Sequence, residues 1–207
     1  MIKINKRPLP EGVAITKESD YRSGIVFQML VEDFHEKCYI CEDSVHTSPN
    51  VEHRISHKSD PILKYDWNNL YLSCGHCNNI KLGRYDDIID PIHVDPEEFI
   101  ELSYGGDAEV RSMVIIRKIK GCGDVDLTIC LLNEVYNEPK PDMKKYACSM
   151  LKRELAAELA IFRQLLEEYQ ANPSEAAKMV IEEELSDKSL FAAFKRNMAR
   201  NSPCMQP

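Results

Sequence analysis

Four of the eight cysteines fall into two pairs, Cys38-x-x-Cys41 and Cys74-x-x-Cys77, with 32 residues between the pairs. A two-residue gap lets both thiolates of a pair face one ion, and two such knuckles at the ends of a loop form a closed, structural Zn²⁺ site. Gly75 suits the tight turn inside the second knuckle. A redox role would need one pair set in a βαβ unit, and no such pattern surrounds either pair. Cys122, Cys130, Cys148 and Cys204 show no ligand spacing and read as small hydrophobes. Between the knuckles, Val51-Glu52-His53-Arg54-Ile55 is a strand-like stretch in which a carboxylate adjoins an imidazole, and His57 follows four residues later. Asp66-Trp67-Asn68-Asn69-Leu70-Tyr71-Leu72 then leads into Cys74, and beyond Cys77 the run Asn78-Asn79-Ile80-Lys81 can open a helix. His76 reads as an exposed residue between ligands, and Trp67 as core packing.

These residues need elements to position them. Pro8 and Pro10 keep the first dozen residues extended. Apolar residues at helical spacing predict a helix from Ser19 to Glu36, with Ser19 as N-cap, running directly into Cys38. After Pro91, Tyr104-Gly105-Gly106-Asp107 reads as a turn, and a β-rich run follows within Ala108 to Ile119. A short helix is expected through Leu127, Cys130 and Leu131, then a loop at Asn137-Glu138-Pro139-Lys140-Pro141. Leu151, Leu155, Leu159, Phe162, Leu166 and Tyr169 form one apolar stripe of a long helix. Further helices are expected from Pro173-Ser174-Glu175 and from Ser186-Asp187, the last carrying Phe191 and Phe194. Three segments result: 1–37, extended chain and helix; 38–91, where the chemistry is concentrated; and 92–207, mixed then helical.

Composition excludes several classes. The chain of 207 residues carries a formal net charge of −8, which argues against coating nucleic acid through bulk positive charge. Its longest uncharged apolar runs, such as Met113 to Ile116, are far short of a bilayer span. The first residues lack the apolar core of a secretory signal, so a soluble, cytoplasmic protein is expected.

The order Glu-His, then Asn-Asn-Leu, then Cys-x-x-Cys-Asn-x-x-Lys resembles the HNH endonucleases. That resemblance implies an α+β fold, a ββα-metal core framed by a four-cysteine zinc, here flanked by an N-terminal helix and a mostly helical C-terminal region. By the same resemblance, Glu52 is the first ligand of a catalytic divalent cation, Mg²⁺ or Mn²⁺, and Asn78, in place of the family's final histidine, is the second. His53 is the general base, Asn69 ties the loop and orients the histidine, and Lys81 lies near a phosphate or supports the helix. The chemistry is coherent: a histidine can deprotonate water near neutral pH, and oxygen ligands suit a hard cation. His57 and Lys58 are further candidates for phosphate contact.

A looser pattern covers most of the chain. The early Cys-x-x-Cys, Glu-His, Tyr65-Asp66-Trp67-Asn68-Asn69-Leu70, Asp90-Pro91, Asp95-Pro96-Glu97-Glu98 and Thr128-Ile129-Cys130-Leu131-Leu132-Asn133 before a long helix resemble the PtuB proteins of Septu and retron anti-phage systems. Where that group often has His-Phe-Arg-Pro-Lys, this chain reads His53-Arg54-Ile55-Ser56-His57-Lys58. The resemblance implies a partner ATPase of the ABC class, PtuA-like, and in the retron branch a reverse transcriptase with its non-coding RNA and DNA. With 11 basic and 14 acidic side chains in residues 1–91, the segment should hold nucleic acid weakly alone, and the helical tail with Phe191 and Phe194 is a candidate docking surface. DNA is the expected substrate, with RNA, including tRNA, the other option. The competing class is a catalytically silent zinc module that binds a partner or nucleic acid. A zinc-dependent hydrolase or deaminase needs an open coordination position that four thiolates close.

Overall fold

The computed structural model describes residues 1–105, 113–138 and 141–203. The expected turn residues Gly106 and Asp107, the loop residues Pro139 and Lys140, and Cys204 lie outside them. The elements run α1 (Glu18–Arg22), α2 (Gly24–Asp33), β1 (Pro49–His53), α3 (Pro61–Tyr65), β2 (Leu70–Cys74), α4 (Gly75–Lys81), β3 (Ile100–Gly105), β4 (Met113–Lys118), α5 (Asp124–Asn137), α6 (Asp142–Ala171), α7 (Glu175–Glu184) and α8 (Ala192–Arg200). The protein is α+β, and no described helix is long and apolar enough to cross a membrane.

The helix expected from Ser19 to Glu36 is two helices. Ser23 is extended, and Gly24 takes φ +64°, a left-handed geometry that an L residue adopts only with strain. The chain therefore turns between α1 and α2, and this turn lets α1 reach the strand carrying Glu52 and His53.

β1 and β2 form an antiparallel pair with Pro49 opposite Cys74, Glu52 opposite Tyr71 and His53 opposite Leu70. α4 follows β2 without a loop; Gly75 is needed there because a Cβ would come within 2.9 Å of Ser48 Oγ. The ββα unit thus has two ends: Pro49, Cys74 and the start of α4 at one, and His53, Leu70 and the end of α4 at the other.

α5 is longer than the short helix expected and braces this unit. Its Tyr136 hydroxyl donates to the Cys41 carbonyl at 2.7 Å, and Thr128 Oγ accepts from the Ile89 amide at 2.9 Å. His76 is partly buried rather than exposed, its Nε2 donating to the Val135 carbonyl at 2.9 Å. The α6 stripe buries Leu151, Leu155, Leu159, Phe162 and Leu166, each contributing about 1.5–3 kcal/mol. The last helix starts at Ala192, later than expected, because Phe191 takes a left-handed conformation at its N-cap.

One hydrophobic core joins all three segments, running from Ile2 and Ile4 through Leu70 and Leu72 to Tyr136 and Phe194. Phe191 and Phe194 are buried in it, Phe194 edge-on to Tyr136 with centroids 5.7 Å apart. This corrects the expectation that these aromatics form a docking surface: their area is already spent on the protein's own core. Trp67 is buried as expected, its indole N–H donating to the Arg7 carbonyl at 2.8 Å.

Candidate active site and zinc knuckles

At one end of the ββα unit, Cys38 and Cys41 from the turn before β1 meet Cys74 and Cys77 at the start of α4. Their four Sγ atoms lie within 4.8 Å of one another, and Cys41 and Cys74 are 3.9 Å apart. Tetrahedral zinc with Zn–S bonds of about 2.3 Å needs sulfurs about 3.8 Å apart, so the cluster fits the ion. Hydrogen bonds from Cys38, Cys41 and Cys77 hold the Cys74 thiol far below its ordinary value, while burial pushes Cys77 well above. Zinc binding would take the four sulfurs as thiolates and so release the protons they carry.

The other end is built from single residues. His53 closes β1, and its Nε2 lies 3.0 Å from the Lys64 carbonyl. A carbonyl only accepts, so Nε2 carries the hydrogen and the lone pair falls on Nδ1. Tyr21 of α1 meets the ring edge-on at 5.8 Å, and Glu18 of the same helix pairs with the Lys64 ammonium at 2.6 Å. Burial lowers the His53 pKa, opposed by the Lys64 hydrogen bond and assisted by nearby positive charge.

Asn69 is buried and spends its whole amide on the loop after β1. Its Oδ1 accepts from the Ile55 amide at 2.7 Å; its Nδ2 donates to the carbonyls of Ile55 at 2.8 Å and Leu63 at 2.9 Å. Leu63 precedes Lys64, so the same clamp sets the carbonyl that orients His53. His57 stands beside His53 with ring centroids 4.7 Å apart, its Nδ1 accepting from the Ser59 amide at 3.0 Å. Lys58 is exposed at φ +46°.

Glu52 is buried, with 8% of its side chain exposed, and its Oε1 accepts from the Lys81 ammonium at 2.9 Å. Burial raises its pKa, with Lys81 pulling the other way. Asn78 lies three residues before Lys81 on α4, hence on the helix face from which Lys81 reaches Glu52, and is partly exposed. A carboxylate and an amide oxygen are a donor set suited to a hard cation. Lys81 itself is wholly enclosed, so of the two roles expected for it, support of its surroundings is the one this geometry fits.

Sequence reasoning missed the contributors that act through the backbone or across the chain. The Lys64 carbonyl has no side-chain signature. Asp86, which accepts from the Ser56 amide at 2.9 Å, and Arg54, paired with Asp90 at 3.1 Å, fix the loop from a distant segment. For α1, the signal lay in Gly24, which permits the turn back toward His53.

Two antiparallel strands and a helix, with a four-sulfur cluster at one end and a carboxylate–imidazole pair at the other, define a ββα-metal unit. Residues 38–84 match the family model of the HNH endonuclease, and this match supports a nuclease function and a metal site in that segment. No curated protein and no solved structure matches the chain.

Proposed function

We propose that this protein is a metal-dependent endonuclease that hydrolyses phosphodiester bonds of nucleic acid, with DNA as its substrate. The observation that carries the reading is the orientation of His53: with Nε2 tied to the Lys64 carbonyl, its basic nitrogen is Nδ1, at the strand end one residue after the buried Glu52. Burial keeps the imidazole neutral near pH 7, as a base must be. A divalent cation, Mg²⁺ or Mn²⁺, supplies charge stabilisation at the phosphate when bound. Glu52 and Asn78 would hold it, leaving its other positions to water and phosphate oxygens. His53 Nδ1 takes the proton of the attacking water, and Asn69 keeps the His53-bearing loop closed. His57, whose ring lies 4.7 Å from that of His53, and the exposed Lys58 would contact the substrate backbone.

The PtuB-like pattern extends the proposal to an anti-phage effector working in the cytoplasm with a PtuA-like ATPase, and in a retron setting with a reverse transcriptase and its non-coding nucleic acid. The net charge of −8 supports a partner that presents the substrate, since the chain has little electrostatic hold of its own. Co-purification with the genomic neighbour tests that arm; a neighbourhood without any nucleotide-binding protein would remove it.

A second reading, a silent zinc module, is favoured by one observation: Glu52 already has a cationic partner in Lys81. Nicking assays on zinc-loaded protein with Mg²⁺ or Mn²⁺ decide between them, using plasmid DNA, single-stranded RNA and tRNA in parallel. His53→Ala is expected to lower the rate by about 10²–10⁴-fold. Equal rates in His53→Ala and the wild type would show that His53 is not the base, and no cleavage of any substrate, alone or with the co-purified partner, would leave the silent module.

A further inference from the structure

Lys81 is the most completely enclosed charge near the candidate site, with no side-chain exposure. An ammonium has three protons to place. Here they face Glu52 Oε1 at 2.9 Å, the His53 carbonyl at 3.1 Å and the Leu82 carbonyl at 3.3 Å, with Asp86 Oδ1 further off at 3.6 Å. Burying an ion costs several kcal/mol unless its partners replace water, and here every proton has one.

The backbone is bent to complete this shell. Leu82, the residue after Lys81, takes φ +43° and ψ −154°, a region that a branched L residue occupies only under strain. That conformation accompanies a carbonyl turned back toward the ammonium of its own neighbour. A carboxylate oxygen and two carbonyl oxygens converging on one point are the ligand types of a hard-cation site, and a tethered cation fills it.

We propose that Lys81 is a resident counter-ion on Glu52: it holds the carboxylate in register with the His53 backbone and weakens the hold of the site on a divalent cation. The proposal rests on the nuclease reading, in which Glu52 is a metal ligand. Its physical basis is that a positive charge already bound to one oxygen of a carboxylate repels a second cation approaching the other. Lys81 is thus a positioning residue whose charge tunes affinity, so that the site fills only at high cation concentration.

The test is Mn²⁺ binding to zinc-loaded protein, followed by calorimetry, for the wild type, Lys81→Met, Lys81→Arg and Glu52→Gln. Lys81→Met keeps most of the length of the side chain without its charge and is expected to bind Mn²⁺ at least about tenfold tighter than the wild type. Lys81→Arg keeps the charge and should not tighten. A purely structural lysine would give weaker or unchanged binding in folded Lys81→Met, and either result overturns the proposal. In the wild type, the buried Lys81 ammonium should give a protected ¹⁵N resonance that moves as Mg²⁺ is added. If Lys81→Met does not fold, this resonance decides alone: saturation with Mg²⁺ and no movement overturns the proposal. Binding that is equally tight in Glu52→Gln would place the cation elsewhere, and both the proposal and the metal assignment beneath it would fall. Binding lost in Glu52→Gln but not tightened in Lys81→Met would remove the counter-ion role alone.

Discussion

The two ends of one ββα unit solve opposite problems. At the Cys74 end, four soft ligands of one kind converge, and a single ion would close the shell with no position left for chemistry. At the His53 end, a carboxylate, an imidazole and an ammonium come from three different backbone positions; the carboxylate and the ammonium hold each other, and the Lys64 carbonyl holds the imidazole. The first end fixes geometry by redundancy; the second depends on individually placed hydrogen bonds, which leave His53 Nδ1 and Glu52 Oε2 without a partner among the described residues. β1 and β2, five residues each and so four residue steps long, hold the two ends about 13 Å apart, so the staple does not intrude on the chemistry.

If the Cys74 end is the staple, its loss should be the largest single effect. Removing zinc with a chelator, or replacing Cys77 by Ser, is expected to cost on the order of 5–10 kcal/mol and to melt the ββα unit. Circular-dichroism melting with zinc counted by a colorimetric chelator checks this. An unchanged melting temperature in zinc-free protein would show that α5 and the core suffice without the ion.

An intermediate effect is expected from the clamp at the other end. Asn69→Ala leaves the Ile55 amide and the carbonyls of Ile55 and Leu63 without their partner. The expected loss is about 2–4 kcal/mol in urea unfolding, together with a fall in kcat from a loosened His53. A variant that loses stability but keeps kcat would show that the loop, and not the imidazole, is what Asn69 positions.

The smallest effect probes how much charge the His53 end can bury. Lys6 lies beneath it, donating to the carbonyls of Trp67 and Leu70 with its ammonium 3.8 Å from the Trp67 ring centroid. Burial pushes its pKa down to about 7, against the pull of Asp66, Asp33 and Asp90. Well below pH 7 the amine is charged in both folded and unfolded chains, so its burial cost is fully present and does not change with pH. Between pH 7 and the ordinary lysine value of about 10.4, the unfolded chain holds a proton that the folded chain does not, so stability rises with pH. From pH 7 to 9 the wild type should gain on the order of 2 kcal/mol over Lys6→Met in urea unfolding. Parallel curves for the two proteins would place the titration elsewhere.

How legible each end was in the sequence follows from the same contrast. The cysteine pairs announce themselves because residue type and spacing together nearly define a tetrahedral shell. Glu52, His53, Asn69 and Asn78 stood out only as an ordered set, through the family resemblance, and none was informative alone. The α6 stripe was equally open, since its 3.6-residue period is local. What stayed hidden was long-range or carried by backbone. Nothing in the sequence around Lys64 says that its carbonyl will meet an imidazole. A lysine after Asn78 looks like a surface charge until the chain is folded around it. Phe191 and Phe194 were candidates for a free face because Tyr136, which Phe194 meets, lies more than fifty residues away.

The central claim is that the cation binds at the His53 end while zinc occupies the other. Anomalous diffraction from crystals soaked in Mn²⁺, recorded at the zinc and manganese edges, tests it most directly. The account predicts a zinc peak among the four sulfurs and a manganese peak between Glu52 and Asn78, within coordination distance of both oxygens. Manganese found only at the cysteines, or bound to other carboxylates with Glu52 still sealed by Lys81, would contradict it.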